Sequence, residues 1–280
     1  MPATLDELLT LLTLEKLDDR LFRGSQPPTS HLPRVYGGQV AAQALVAAQD
    51  TVPDGRFVHS LHSYFILGGD PSVPIVYDVE DVRDGGSFTT RRVAARQHGA
   101  IIFYMTASFQ KEEQGFDHQD PMPGDIPPPE ECELMSDIIR NFNPGWADAW
   151  QQEWSSAEVR MVPITDPATQ RVWIRLAGVV EDRRPLRASL LTYFSDLTLL
   201  APTLVPHGKI VSSPDVQVAS LDHSIWFHRA TAAGQWFLYD QHSPSASGGR
   251  GLSIARVFSQ AGELVASIAQ EGLIRPRREP

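Results

Sequence analysis

The chain has 280 residues, 42% hydrophobic and 21% charged, the composition of an ordinary globular protein with room for about two domains. Its formal net charge of −10 runs against a general nucleic-acid binder, and its single cysteine, Cys132, excludes a disulfide framework and argues against structural zinc. No apolar run reaches the roughly 18–20 residues of a membrane span. The start Met1-Pro2-Ala3-Thr4 lacks a basic leader, and Arg278-Glu279-Pro280 is no peroxisomal or endoplasmic-reticulum address. The expectation is a cytoplasmic protein with no membrane and no nucleic-acid partner.

Leu5, Leu8, Leu9 and Leu12 have the spacing of one helical face, and Thr4 followed by Glu7 is a capping-box start, predicting a helix over about 4–17. The alanine-rich, proline-free stretch after Gly37-Gly38 predicts a second helix to Gln49. Strands are predicted over 57–66, 73–82, 88–96 and 100–110, the last two joined by a tight Gln97-His98-Gly99 turn. Residues 115–133 contain Pro121, Pro123, Pro127, Pro128 and Pro129, which cannot belong to an interior strand or helix and read as a linker. Beyond it the pattern predicts a helix over 188–200, strands over 215–228, 235–240, 252–258 and 263–274, and a loop over 243–249.

Helix followed by strands thus occurs twice, and the two halves are similar. His59-Ser60-Leu61-His62-Ser63 lies over Ala219-Ser220-Leu221-Asp222-His223. The hairpin turning at Gly99 lies over that turning at Gly262, and Gly38…Leu45 lies over Ser189…Asp196. Three matches in one order point to a duplication. The fold expected is α+β, a double hotdog, each copy an antiparallel sheet wrapped around a central helix. The boundaries expected are 1–114 and 136–280, with a linker over 115–135.

The duplication shows where one copy holds a polar residue and the other does not. Asp196 falls among bulky apolar residues of its helix, where the first copy has Leu45. A carboxylate there is costly unless hydrogen-bonded; an exposed position on an amphipathic helix is the other reading. Gln270 continues the apolar strand face of Leu264, Ala266 and Ile268, where the first copy has Ala107. A satisfied core amide is the alternative. Ser220, matched by Ser60, matters only in their company. The pattern implies one site per chain, not two. Gly37 and Gly38 would let a substrate approach the second helix's N-terminal N–H groups, or simply make a tight turn into it. His59 and His62 point to opposite strand faces and do not form a metal pair; Asp117-His118-Gln119-Asp120 lies in the linker. Arg91, Arg92, Lys209, Arg229 and the tail arginines 275, 277 and 278 could meet phosphates or simply be solvated.

Leu21-Phe22-Arg23-Gly24, Tyr36-Gly37-Gly38-Gln39-Val40, Val58-His59-Ser60-Leu61-His62, Asp222-His223-Ser224-Ile225-Trp226-Phe227-His228 and Ala269-Gln270-Glu271-Gly272 span nearly the whole chain. In these segments it closely resembles the acyl-CoA thioesterase II family. The resemblance implies a double hotdog that hydrolyses acyl-CoA to fatty acid and CoA, with no cofactor and no metal. It also implies a homo-oligomer. The family's acid, hydroxyl residue and glutamine fall on Asp196, Ser220 and Gln270. Read from the residues themselves, Gly37 and Gly38 are expected beside the oxyanion and His59 as a contact to the acyl-CoA. Two rivals are a non-catalytic acyl-CoA-binding module and a hydratase on the same fold. A hydratase would need a histidine on the second helix or its loop, and the helix itself has none.

Overall fold

The computed structural model describes residues 1–28, 32–231 and 234–277, so Arg278 and the chain end lie outside the described residues. In the first half, α1 (Leu5–Leu11) starts with the Glu7 N–H donating to the Thr4 hydroxyl at 3.2 Å. It is shorter than its apolar spacing predicts, because residues Glu15–Asp18 leave the helix as β1 and pair with β2 (Leu21–Gly24). Then follow α2 (Gly37–Gln49), β3 (Arg56–Phe65), β4 (Ile75–Asp84), β5 (Phe88–Gln97) and β6 (Ala100–Lys111). These strands match their predicted spans to within a few residues. The β5–β6 turn holds His98 and Gly99 at φ 49° and 76°, the left-handed pair that a two-residue hairpin requires.

The second half contains β7 (Glu133–Leu134), α3 (Met135–Phe142), α4 (Pro144–Trp154), β8 (Ala157–Met161) and β9 (Thr169–Leu176) before α5 (Arg184–Ser195). After α5 come β10 (Val216–Ser220), β11 (Asp222–Phe227), β12 (Phe237–Ser247), β13 (Arg250–Ser259) and β14 (Leu264–Pro276). Three expectations change here. The predicted helix over 188–200 ends at Ser195, leaving Asp196 as its C-terminal cap rather than an interior residue. The predicted loop over 243–249 is strand as far as Ser247, turning at Gly248 and Gly249 with φ 58° and 76°.

The predicted strand over 215–228 is two. At Leu221 the N–H donates to the Glu271 carbonyl while its own carbonyl accepts from Phe65. The register against β14 shifts there by one residue, from Ser220 opposite Gly272 to Ser224 opposite Ala269.

The described strands form a continuous sheet in the order β1-β2-β4-β5-β6-β3-β11-β14-β13-β12-β9-β8-β7, with β10 also on β14. Antiparallel pairing of β3 with β11 joins the two copies, and Ser63 stands opposite its own repeat counterpart His223. The sheet wraps α2 and α5, which pack together antiparallel. Gly38 of α2 meets Asp196 at one end, and the Gln49 side chain reaches Ser189 at the other.

α2 is buried nearly all round, which explains its alanines: small side chains let the sheet and α5 close on it, and alanine favours helix. The proline-rich segment is not a free tether. Gln119 bonds Gly262 and Leu264, Trp173 donates to the Pro127 carbonyl at 3.0 Å, and Met122 and Ile126 cover Trp173, Trp236, Leu238 and Phe258. It straps the outer face of the second copy's sheet. No helix among the described residues is long and apolar enough to cross a membrane.

Candidate active site

The site forms where the end of α5 meets the start of α2. A helix leaves its first N–H groups without intrahelical partners, and α2 has no side-chain cap of its own at Tyr36. Asp196 supplies the cap from the other copy: its Oδ2 accepts the Gly38 N–H at 2.9 Å, where the helix dipole favours negative charge. This approach needs both glycines. A Cβ on Gly38 would stand 2.3 Å from the Tyr193 carbonyl oxygen, and one on Gly37 would stand 2.7 Å from Asp196 Oδ2. Tyr36 closes the junction, its hydroxyl donating to the same Tyr193 carbonyl at 2.8 Å and its ring lying edge-on to Trp154 at 4.8 Å.

Gln270 of β14 and Ser220 of β10 complete the cluster. The Gln270 amide nitrogen donates to Asp196 Oδ1 at 2.8 Å and to Ser220 Oγ at 2.7 Å, and the Ser220 hydroxyl lies 3.5 Å from the same carboxylate oxygen. Asp196 and Ser220 are partly accessible, whereas Gln270 is completely buried behind them. Burial pushes the Asp196 carboxyl above its ordinary 3.8. The nearby His223, Gln270, Gly38 and Ser220 oppose that shift. A carboxylate has about four lone-pair directions. Three are aimed at by the neighbours named, which leaves one for a water or substrate group.

The three residues singled out by the repeat comparison therefore come together. Gly37 and Gly38 sit in the same cluster, although the Gly38 N–H is turned to Asp196. His59 does not join it. It lies four positions along β3 from Ser63, about 13 Å at the usual strand rise, with its ring bonded to Ser108 at 2.8 Å and edge-on to Phe88.

Sequence reasoning passed over His223, which is fully buried with Nδ1 2.9 Å from the Gln270 carbonyl oxygen and Nε2 2.7 Å from the Ser195 hydroxyl. A strand histidine gives no local signal of such a role. Its traces were the repeat position, where the first copy has Ser63, and its place in the segment Asp222-His223-Ser224 that carries the family resemblance. No group of three or more metal-ligating side chains occurs among the described residues.

Two hotdog units sharing one sheet, with a carboxylate–hydroxyl–amide cluster at their junction, place the chain in the double-hotdog class. Family comparison agrees. Residues 26–110 match the acyl-CoA thioesterase N-terminal domain and residues 129–274 the acyl-CoA thioesterase C-terminal domain. Acyl-CoA thioesterase 2 of Haemophilus influenzae is 39% identical, over 98% of this chain and 99% of that protein. Human acyl-coenzyme A thioesterase 8 is 38% identical over 95% of this chain and 88% of its own length. Among solved structures, an acyl-CoA thioesterase II from Mycobacterium marinum superposes with a TM-score of 0.83 at 42% identity, covering 98% of this chain and 99% of that one. The chain belongs to the acyl-CoA thioesterase II family.

Proposed function

We propose that the protein hydrolyses fatty acyl-CoA thioesters to fatty acid and CoA at the Asp196 cluster. The observation that carries this reading is a partly accessible carboxylate held by the Gly38 N–H and the Gln270 amide, with a hydroxyl beside it. Asp196 accepts a proton from a water positioned by Ser220, with Gln270 holding both side chains in place, and the water oxygen bonds to the thioester carbonyl carbon. The carbon–sulfur bond then breaks, CoA leaves as a thiolate, and the proton held by Asp196 can return to it. Proton transfer of this kind contributes about 10²–10⁴ in rate. The carbonyl oxygen gains negative charge during attack, and the positive end of α2, at Gly37 and its neighbours, is suited to stabilise it. The thiolate is a good leaving group, so the scheme calls for neither a covalent intermediate nor a cofactor.

A hydratase mechanism would require a histidine facing the substrate. Both ring nitrogens of His223 are engaged, with Gln270 and Ser195, and the side chain is fully buried, which counts against that reading. A binding module would have no need of a carboxylate whose burial raises its pKa. The expected setting is the cytoplasm and the expected assembly a homo-oligomer, whose subunit number light scattering would measure.

The test is thiol release from short-, medium- and long-chain acyl-CoAs, with Asp196→Ala beside the parent. The parent is expected to release CoA from at least one chain length, and folded Asp196→Ala to lose about 10²-fold or more in kcat. A parent that binds the panel and releases nothing would be a binding protein, and this proposal would fall.

A further inference from the structure

Gln270 can present its amide to Asp196 in two ways that occupy the same space, and only one of them leaves the carboxylate usable. With Nε2 toward Asp196 and Ser220, both amide hydrogens are donated, at 2.8 and 2.7 Å. Turned over, the amide would set its carbonyl oxygen 2.8 Å from Asp196 Oδ1. Two acceptors at that distance repel unless the carboxyl is protonated, and a protonated Asp196 cannot take a proton from water. Nothing in the Gln270 side chain itself selects the working orientation. On the far side of its carbonyl oxygen stands His223, with Nδ1 at 2.9 Å.

We propose that His223 is a positioning residue: its Nδ1–H holds the Gln270 carbonyl oxygen and so commits both amide hydrogens to Asp196 and Ser220. The inference rests on the proposed catalytic role of the Asp196 cluster. The imidazole is fully enclosed, and burial lowers its pKa, which favours the neutral ring with one proton. With the Gln270 amide in its working orientation that proton sits on Nδ1, since a lone pair there would face the lone pairs of the carbonyl oxygen. Nε2 is then an acceptor, and the Ser195 hydroxyl, 2.7 Å away, can turn its hydrogen to it from the Thr192 carbonyl. The backbone beneath the ring is also fixed, the Ser63 hydroxyl donating to the His223 carbonyl at 2.7 Å.

Two further observations separate this role from simple core filling. In the repeat alignment His223, Gln270 and Ser195 lie over Ser63, Ala107 and Ala44, so the whole relay is present in the copy with the acid and absent from the other. The register shift at Leu221 also brings two residues three apart, Ser220 and His223, to the same Gln270 amide, one at each end. In an unbroken strand those side chains would point to opposite faces.

The experiment compares kcat and KM for thioester hydrolysis in His223→Leu, His223→Gln and His223→Asn, each also combined with Gln270→Ala. Asparagine can place an amide N–H near the Nδ1 position, whereas glutamine reaches toward Nε2 and Ser195. His223→Leu and His223→Gln are expected to lose about 10–100-fold in kcat with KM little changed, the range seen when the partner that orients a working side chain is removed. His223→Asn is expected to recover most of that loss. In the Gln270→Ala background every His223 substitution should be nearly silent, because the group it orients is gone.

His223→Gln as active as the parent would overturn the proposal, even if His223→Leu failed to fold. So would kcat losses that add in the double variants. Failure of the underlying catalytic reading gives a different pattern, with Gln270→Ala alone keeping the parent's kcat, and it would take this inference with it.

Discussion

The two ends of the α2–α5 pair are built from the same repeated scaffold and are chemically unlike. At one end α5 stops at Ser195, and Asp196 turns out to cap α2 and collect Gln270 and Ser220. At the other end the counterpart of Asp196 is Leu45, fully buried inside a helix that runs on to Gln49, and the counterpart of Gln270 is Ala107, also fully buried. There the helices are tied by the Gln49 amide donating to Ser189 at 3.0 Å, and buried Arg91 bonds the carbonyl of Thr51 just past the end of α2 at 3.0 Å. A buried polar cluster is stable only when its members satisfy one another. Asp196, Gln270, His223 and Ser195 therefore occur as a set at one end and are replaced at the other, where of the cluster only the Ser220 counterpart, Ser60, is kept. The helix end matters as much as the residue: Gly38 lies in the first turn of α2 and offers an N–H free of intrahelical bonding, whereas its counterpart Ser189 lies inside α5 and has none for an acid at position 45 to accept.

That contrast can be broken from either side. Making the loaded end read like the blank one, by Asp196→Leu, is expected to remove about 10²–10⁴-fold of kcat, with folding checked by thermal unfolding. Retention of more than a tenth of the activity would show that the carboxylate is not the base. The reverse change, Leu45→Asp, places an acid where no matching amide or cap waits. It should cost about 3–5 kcal/mol of stability in a denaturant titration, as an uncompensated buried charge does, and should add no hydrolysis. A gain in thiol release from Leu45→Asp placed on Asp196→Leu would mean that the scaffold, not the complete cluster, confers activity.

Smaller effects sharpen the comparison. Gly38→Ala puts a Cβ 2.3 Å from a backbone carbonyl that cannot move without α5, so α2 must shift. A loss of about 1–3 kcal/mol is expected, together with reduced kcat as Asp196 loses its alignment. Unchanged stability and rate would mean that the close approach of the helices is not required.

The gentlest probe is pH. Because burial raises the Asp196 pKa above 3.8, its carboxylate forms only at higher pH than an exposed aspartate's. As a base it works when deprotonated, so kcat/KM should rise with pH along an acid limb whose midpoint exceeds 3.8 and lose that limb in Asp196→Leu. A limb at or below 3.8 would assign the titration to another group.

Much of the first copy was legible because its signals are local: alternating strands, a His98-Gly99 turn with positive φ, and an alanine run after two glycines. The second copy was read less completely. Residues 135–176 fold into α3, α4, β8 and β9, none of which was predicted: the Pro144-Gly145 start of α4 breaks the helical pattern, and β8 and β9 take the sheet positions of β1 and β2, short strands that were not predicted either. The linker prolines were recognised, but not that Gln119 and Met122 tie the segment to the sheet, because those contacts join residues more than a hundred positions apart.

The sequence by itself determined that the chain is a tandem repeat with one acid, one hydroxyl and one amide in unusual places. Internal duplication exposes such differences without any neighbour being known. Only the tertiary structure decided what those residues touch. The end of α5 at Ser195, the shift at Leu221 and the burial of His223 depend on hydrogen bonds between strands and helices distant in sequence. Patterns of period 2 and 3.6 report which face a side chain occupies. They carry no information on which residue stands opposite it, and the proton arrangement at Asp196 is set by that opposition.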